Sequence, residues 1–182
     1  GHVTGVQTCA LPIWWPLAAS HEVLEMIADP YGDRLVAGQA PIEAADHGRV
    51  EFLVEVCDPC EAAEVAYSVN GVALSDFYLP AYFDPLRVSG ARYSWGGALE
   101  APRQVARGGY LSWRNPADAH WYQLRWFSTS RPTVVDLGVF DGTSSSTREW
   151  VDRQTDGAER ERVPRRRRRV NLEARPSAVA RS

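Results

Sequence analysis

The segment between Pro16 and Pro30 constrains the fold more than any other part of the chain, because a helical pattern there has both a start and a stop signal. Pro16 suits the first helical position, where the N–H that proline lacks would have no helical partner. Asp29 and Pro30 stop the pattern, since proline cannot continue a helix. Large apolar residues recur between them at helix-compatible spacing: Leu17, Val23, Leu24 and Ile27. The sequence therefore predicts one helix over about residues 16–28.

Short strand patterns dominate the part of the chain that follows. Beyond a Gly- and Ala-rich loop, residues 50–56 have the β-branched and aromatic content of a strand. Residues 66–69 and 72–75 flank Asn70-Gly71, a pair that readily supplies the two positive-φ residues of a type I′ turn. The sequence therefore predicts a strand followed by a β-hairpin.

A second strand-turn-strand pattern is rich in aromatic residues. Residues 110–113 and 120–126 alternate large apolar side chains around a turn at residues 114–119. Strands thus outnumber helices, which predicts an α+β fold with one helix. The aromatic side chains can fill a small core or form a flat face for a sugar or peptide, and we favour the core. They are Trp95, Tyr110, Trp113, Trp121, Tyr122 and Trp126.

The charge of the chain is divided between an acidic body and a basic tail. The chain has 182 residues, which suits one domain, and its net charge is -3. Residues 153–182 hold 10 arginines and 4 acidic residues, whereas residues 1–152 hold 10 arginines and 19 acidic residues. Phosphate binding needs a cationic surface, so we expect no nucleic-acid binding by the folded body. No stretch approaches the roughly eighteen apolar residues of a membrane span.

The two ends of the sequence differ from its middle. Residues 1–13 resemble the translated read-through of a sequencing adapter, so we expect a non-native leader and a natural protein that begins upstream. Residues 153–182 include five consecutive arginines and almost no large apolar residues, which predicts a disordered Arg-rich tail. Residues 14–152 are then the folded domain.

Charged residues on the predicted helix have the spacing of metal ligands. His21 and Glu25 are four residues apart and stack on one helix face, with Asp29 one turn further at the helix end. Glu22 is rotated by about 100° from His21, where a metalloprotease has the carboxylate that takes a proton from its activated water. The pattern is a variant of H-E-x-x-H with glutamate as the second ligand. Because zinc accepts carboxylate oxygen as well as imidazole, the sequence predicts a candidate zinc site.

Further short motifs extend this pattern along the chain. In order they are Ser20-His21-Glu22-x-x-Glu25, Glu55-Val56-Cys57-Asp58-Pro59-Cys60, Tyr67-Ser68-Val69-Asn70-Gly71 and Phe77-Tyr78-Leu79-Pro80. Together, over about residues 16–85, they resemble the plant phosphate-induced, or exordium-like, family and its uncharacterised bacterial zincin-like relatives. The resemblance implies a zincin-like fold of HExxE type. It also implies that the sheet which precedes the active helix in zincins is missing here, so that residues 14–152 are the C-terminal portion of such a domain.

The resemblance also implies a source for a third metal ligand. It places the segment from Glu55 to Asp58 against the helix and makes Asp58 the best candidate. Glu55 is then either a competitor for that position or a partner that orients His21. Asp29 remains a further alternative.

More than one class of function is open on the sequence. The first is a zincin-like, zinc-dependent hydrolase of peptide bonds in peptide or protein substrates, with His21, Glu25 and Asp58 around zinc and Glu22 as general base. The second is a non-catalytic secreted or surface binding module that keeps the helix for structure and uses the aromatic strands for contact. The third is a fragment of a larger enzyme that is inactive without its upstream sheet. We slightly favour an extracellular or cell-surface location.

Four further residues have simpler interpretations. Cys57 and Cys60 have C-x-x-C spacing, but no βαβ pattern surrounds them, so we expect a structural disulfide or two buried thiols. His47 is interpreted as a loop histidine near a turn. His120 begins an aromatic strand, a position at which a histidine usually binds no metal.

Overall fold

The computed structural model describes the backbone of residues 15–159 and the side chains of residues 15–155. The predicted leader, residues 1–13, lies outside this range, as does the predicted tail from residue 160 onward. Within the range, neither helix combines the length and apolar character that a membrane crossing requires.

Two α-helices and two antiparallel sheets form the described part of the chain, which confirms the α+β class. The helices are α1 (Trp15–Ala28) and α2 (Thr147–Glu159). A small hairpin contains β3 (Tyr67–Val69) and β4 (Val72–Leu74). In spatial order, the larger sheet consists of β1 (Leu35–Gln39), β2 (Arg49–Leu53), β5 (Tyr110–Arg114), β6 (His120–Arg125) and β7 (Thr133–Val139).

Helix α1 turns its polar side inward. It begins one residue before the predicted start and ends where predicted, but the one fully buried residue in it is Glu25. Val23 and Ile27, two of the apolar residues that predicted the helix, are exposed. The apolar spacing therefore predicted the existence of the helix and not the side that it buries.

Polar contacts position α1 against the rest of the domain. The Ser75 N–H donates a hydrogen bond to Ser20 Oγ at 2.9 Å. The Cys57 N–H donates to Glu25 Oε1 at 3.2 Å. A buried acceptor needs a donor, so these backbone N–H groups make a polar inward face acceptable. The helix is thus held beside the segment that follows β2 and beside the residue that follows β4.

The β3–β4 hairpin has the predicted turn. Asn70 has a φ of 50° and Gly71 a φ of 81°, which are the two left-handed residues of a type I′ turn. The register pairs Val69 with Val72 and Tyr67 with Leu74. The hairpin packs against α1 and so supports the helix from one side.

Strand β1 lies in the part of the chain that the sequence pattern predicts to be a loop, so that prediction is wrong for residues 35–39. Its burial alternates, with Val36 and Gly38 on the inner side, but Ala37 and Gly38 have low strand propensity, so pairing with β2 decides its conformation. Gly38 lies over the ring of Phe52, where an added Cβ would be 3.1 Å from Cε2. The small residues in this segment thus allow the edge strand to approach an aromatic core residue.

Aromatic residues fill the core, as the sequence favours. Tyr110, Trp113 and Trp121 are buried, and Tyr122 and Trp126 pack against the core while partly exposed. The sixth member of the predicted aromatic set, Trp95, is exposed. The strands β5 and β6 therefore present most of their rings inward.

Helix α2 crosses the predicted boundary between the body and the tail. The boundary after residue 152 falls inside this helix, so residues 153–159 are helical and the predicted disordered tail needs correction there. Trp150 and Val151 pack in a small cluster with Leu53 and Trp121, and the Gln123 amide donates to Thr155 Oγ1 at 3.1 Å. These contacts with β2 and β6 hold a segment whose composition alone does not predict burial.

Candidate metal centre

Two side chains of α1 and one that is distant from them in sequence converge beneath this helix. His21 and Glu25 project from one face of the helix, and Asp58 begins a 3₁₀ turn, Asp58–Cys60, shortly after β2. One donor atom from each of the three residues lies within 4.8 Å of the others. The structure thus brings together the three residues that the sequence nominated as metal ligands.

The imidazole of His21 lies between the two carboxylates. His21 Nε2 is 3.1 Å from Asp58 Oδ1 and 3.5 Å from Glu25 Oε1. Glu25 and Asp58 are 4% and 2% exposed, whereas the His21 side chain retains 16% exposure. The two carboxylates are therefore shielded from solvent, and the imidazole is the most exposed member of the cluster.

Burial and mutual charge shift the protonation of this cluster. Burial alone lowers the pKa of His21, but the hydrogen bond and the charge of Asp58 raise it, to a net value of about 9. Burial and the negative charge of Asp58 raise the pKa of Glu25 to about 9 as well. Without another cation, both groups thus tend to hold protons near neutral pH.

Asp29, the alternative ligand at the end of α1, accepts hydrogen bonds from the turn that follows the helix. Its Oδ1 accepts the Gly32 N–H at 3.0 Å, and its Oδ2 accepts the Arg34 N–H at 2.9 Å. Arg148 Nη2 lies 3.6 Å from the same Oδ2. The carboxylate closes the turn after the helix, and it does not belong to the cluster of three donor atoms.

Glu55, the other alternative, is buried next to the cluster. Its Oε2 accepts a hydrogen bond from Ser112 Oγ at 3.0 Å, and its Oε1 is buried with no hydrogen-bond partner among the described residues. Burial, followed by the charges of Asp58 and Glu25, raises the pKa of this carboxyl well above its usual range. No contact joins it to His21 within the described residues, so the structure gives no support for the idea that it orients the imidazole.

Glu22, the candidate general base, is exposed on α1. It follows His21 directly and therefore lies about 100° around the helix, toward the exposed apolar side that carries Val23 and Met26. Its carboxylate is open to solvent and takes no part in the buried cluster.

Arg148 of α2 is a site residue that sequence reasoning missed. Its Nε is 4.0 Å from Glu25 Oε2, and its Nη2 donates to the Val54 carbonyl at 2.8 Å. Burial lowers the pKa of Arg148, but the negative charges around the guanidinium, of which that of Glu25 has the largest effect, raise it overall. No local pattern connects an arginine in this position with a helix near the start of the chain, so the fold alone assigns it to the site.

The other four residues considered from the sequence, two cysteines and two histidines, lie outside the cluster of three donor atoms. Cys57 and Cys60 are buried free thiols. The Trp113 indole N–H donates to His47 Nδ1 at 3.3 Å. His120 pairs with Asp136 at the protein surface, 2.9 Å from its Oδ2. Neither histidine belongs to a metal-type cluster among the described residues.

The donor set of the cluster consists of groups that zinc can accept as ligands. One imidazole nitrogen and two carboxylate oxygens are ligands that zinc accepts, and catalytic zinc sites have three protein ligands and an open position. The same three groups can also form an ion-paired cluster without a metal, since His21 and Asp58 are within hydrogen-bond distance.

No known protein family, curated protein or solved structure matches this chain. Any functional statement therefore depends on the residues themselves.

Proposed function

We propose that this domain binds one divalent metal ion, zinc in the first instance, through His21, Glu25 and Asp58. The observation that carries the proposal is the convergence of three ligand-type atoms within 4.8 Å beneath one helix. Two of the three side chains are buried carboxylates, and buried carboxylates are uncommon unless they are paired or coordinate a metal.

The charge around the cluster supports a bound cation. Four buried carboxylates occur here, those of Glu25, Asp29, Glu55 and Asp58. Arg148 supplies one positive charge, and His21 supplies a second only when it is protonated. A divalent ion would take the place of the protons that Glu25 and His21 hold near neutral pH, so that Glu25 would bind it as a carboxylate and His21 as a neutral imidazole.

We extend the proposal to hydrolysis of peptide bonds by a zincin-like domain. Bound zinc would supply Lewis acidity, which makes a coordinated water a usable nucleophile near neutral pH. Glu22 would accept the proton, which requires its exposed side chain to turn from the outer side of α1 toward His21. The order of motifs from Ser20 to Pro80 and their resemblance to zincin-like proteins support this class.

Metal content per chain is the decisive measurement for the metal site. The full chain, purified without chelator and then exposed to zinc, should carry about one zinc by elemental mass spectrometry. His21→Ala should lose it, whereas the matched control His120→Ala should keep it, because His120 lies in an exposed pair outside the cluster. A folded wild-type chain that takes up no zinc would refute the proposal.

A peptidase assay tests the hydrolytic extension. If the zinc-loaded chain cleaves a peptide library, Glu22→Gln should abolish cleavage while zinc content and thermal unfolding stay unchanged, because Glu22 is exposed and outside the cluster. Equal cleavage by wild type and Glu22→Gln would remove Glu22 from the mechanism. A zinc-loaded chain that cleaves nothing would leave the metal site without a hydrolytic function.

A further inference from the structure

Arg148 joins four separate parts of the chain at the edge of the candidate metal centre. It comes from the first turn of α2, where its own N–H donates to the Gly32 carbonyl at 2.9 Å. Its guanidinium donates to the carbonyls of Asp29 and Val54, at 3.3 and 2.8 Å. These contacts fix its position independently of Glu25.

The two oxygens of the Glu25 carboxylate face different partners. Oε1 accepts the Cys57 N–H at 3.2 Å and lies 3.5 Å from His21 Nε2, on the side of the cluster. Oε2 lies 4.0 Å from Arg148 Nε, at ion-pair distance. One oxygen is thus directed to the proposed metal position and the other is directed to a fixed cation.

From this division we infer that Arg148 is a specificity-determining residue, which keeps Glu25 a one-oxygen ligand and so favours zinc over calcium. The inference rests on the proposed metal function of His21, Glu25 and Asp58. Arg148 acts through Glu25 and is therefore a positioning residue.

The preferences of the two ions explain why this arrangement selects between them. Zinc is usually four-coordinate, with short bonds to its ligands, and it accepts nitrogen as well as oxygen ligands. Calcium takes six to eight oxygen ligands and commonly uses both oxygens of a carboxylate. A cation fixed beside Oε2 withholds one oxygen and also reduces the negative charge that a hard cation would need. Removal of the guanidinium should therefore help calcium more than zinc.

The ratio of the two dissociation constants separates this role from a merely structural one. Zinc and calcium affinities of the full chain can be measured by competition with chromogenic chelators. In Arg148→Met, the ratio of the calcium to the zinc dissociation constant should fall by about tenfold or more relative to wild type. Arg148→Lys keeps a cation in reach of Glu25 and should restore most of the ratio. A general loosening of the site would weaken both ions together and leave the ratio unchanged.

Asp33 offers a matched structural control. Its Oδ1 accepts the N–H and the hydroxyl of Thr147, both at 2.7 Å, so it anchors the same start of α2 without contacting Glu25. Asp33→Asn should leave the ratio within about twofold of wild type. An equal fall of the ratio in Asp33→Asn and Arg148→Met would overturn the inference.

Cobalt spectra of the wild-type protein test the same point without a variant. One-oxygen coordination by Glu25 leaves the site with few ligands, so Co²⁺ should give the intense visible band of a low-coordinate site. The weak band of six-coordinate Co²⁺ would overturn the inference even if Arg148→Met does not fold. A wild-type chain that binds neither zinc nor cobalt would instead refute the proposed metal function itself.

Discussion

Two histidine–aspartate pairs in this protein have nearly the same geometry and opposite surroundings. His21 Nε2 is 3.1 Å from Asp58 Oδ1 beneath α1, and His120 Nδ1 is 2.9 Å from Asp136 Oδ2 at the surface. The side chains of the first pair are 16% and 3% exposed, and those of the second are 38% and 49% exposed. Contact distance alone therefore does not distinguish a candidate site from a surface pair.

Burial and the neighbouring charges create the difference. Around His21, low solvent access makes the charges of Asp58 and Glu25 effective enough to hold its pKa at about 9. Around His120, water and salt screen the interaction with Asp136, as they do for most surface ion pairs. Buried carboxylates surround His21 and not His120, so a metal ion would have its larger effect beneath α1.

The largest difference between the two pairs should appear in metal affinity. Asp58→Asn removes a proposed ligand charge and should weaken zinc binding on the order of 100-fold or more, since changes even outside the ligand set weaken such sites 10- to 100-fold. Asp136→Asn changes the exposed pair and should leave zinc binding unchanged. Competition titrations with a chromogenic chelator measure both. Equal zinc affinities in Asp58→Asn and Asp136→Asn would show that the buried pair is no more important for metal binding than the exposed pair.

An effect of comparable size should appear in the stability of the metal-free protein, where arginine pairs give the same contrast. Arg148→Met removes the cation 3.6 Å from the buried Asp29 carboxylate and the hydrogen bonds to the carbonyls of Asp29 and Val54, so it should lower the free energy of unfolding by about 3–5 kcal/mol. Arg114→Met breaks a half-exposed pair with Glu51 at 3.8 Å and should lower the free energy of unfolding by less than about 1 kcal/mol. Urea unfolding in the presence of chelator compares them. A loss below about 1 kcal/mol for Arg148→Met would show that the Asp29 carboxylate is stable in the fold without this cation.

Stability of the metal-free protein should also fall as pH rises. His21 has a folded pKa of about 9 against 6.5 unfolded, and Glu25 about 9 against 4.5, so the folded state binds more protons. The free energy of unfolding should therefore decrease from about pH 5 upward, most steeply between pH 6.5 and 9, by about 1–3 kcal/mol. Chemical unfolding at fixed pH values measures the slope.

A matched pair of variants identifies the source of that slope. Glu25→Gln removes one of the two buried groups and should flatten the pH dependence, whereas Asp136→Asn alters the exposed pair and should leave it in place. Stability that stays level, or rises, from pH 6.5 to 9 would contradict the raised pKa values.

The smallest effect should come from the exposed pair itself. His120→Ala removes a contact with Asp136 that solvent largely screens, so the free energy of unfolding should change by less than about 1 kcal/mol. Thermal unfolding at low and high salt checks this expectation. A clear loss that persists at high salt would mean that the pair contributes more than its exposure suggests.

Much of the candidate site could be predicted because its first two members are local. The i, i+4 spacing places His21 and Glu25 on one helix face wherever the helix packs. The choice of a third ligand among Asp29, Glu55 and Asp58 was harder to predict from the sequence, since it depends on how the segment after β2 lies against α1. Asp58 reached the prediction through a resemblance between motifs, and the structure places it 3.1 Å from His21.

The inward side of α1 could not be predicted from its apolar residues. Val23 and Ile27 have helical spacing and yet are exposed, while Glu25 is buried. Hydrophobic periodicity indicates which residues share a face, but it assumes that the apolar face is the buried one. Here, backbone N–H groups of Cys57 and Ser75 favour a polar inward face instead.

The sequence by itself determined the local features of this protein: the helix between Pro16 and Pro30, the Asn70-Gly71 turn and the aromatic strands. Each depends on conformational preferences within a few residues, which tertiary contacts left intact. Only the tertiary structure decided that Arg148 lies against Glu25 and that β1 joins the sheet. Both outcomes depend on contacts between segments that are distant in sequence. Burial strengthens the interaction between the charges, and hydrogen bonding to β2 holds β1 in the sheet, and neither can be predicted from a local sequence pattern.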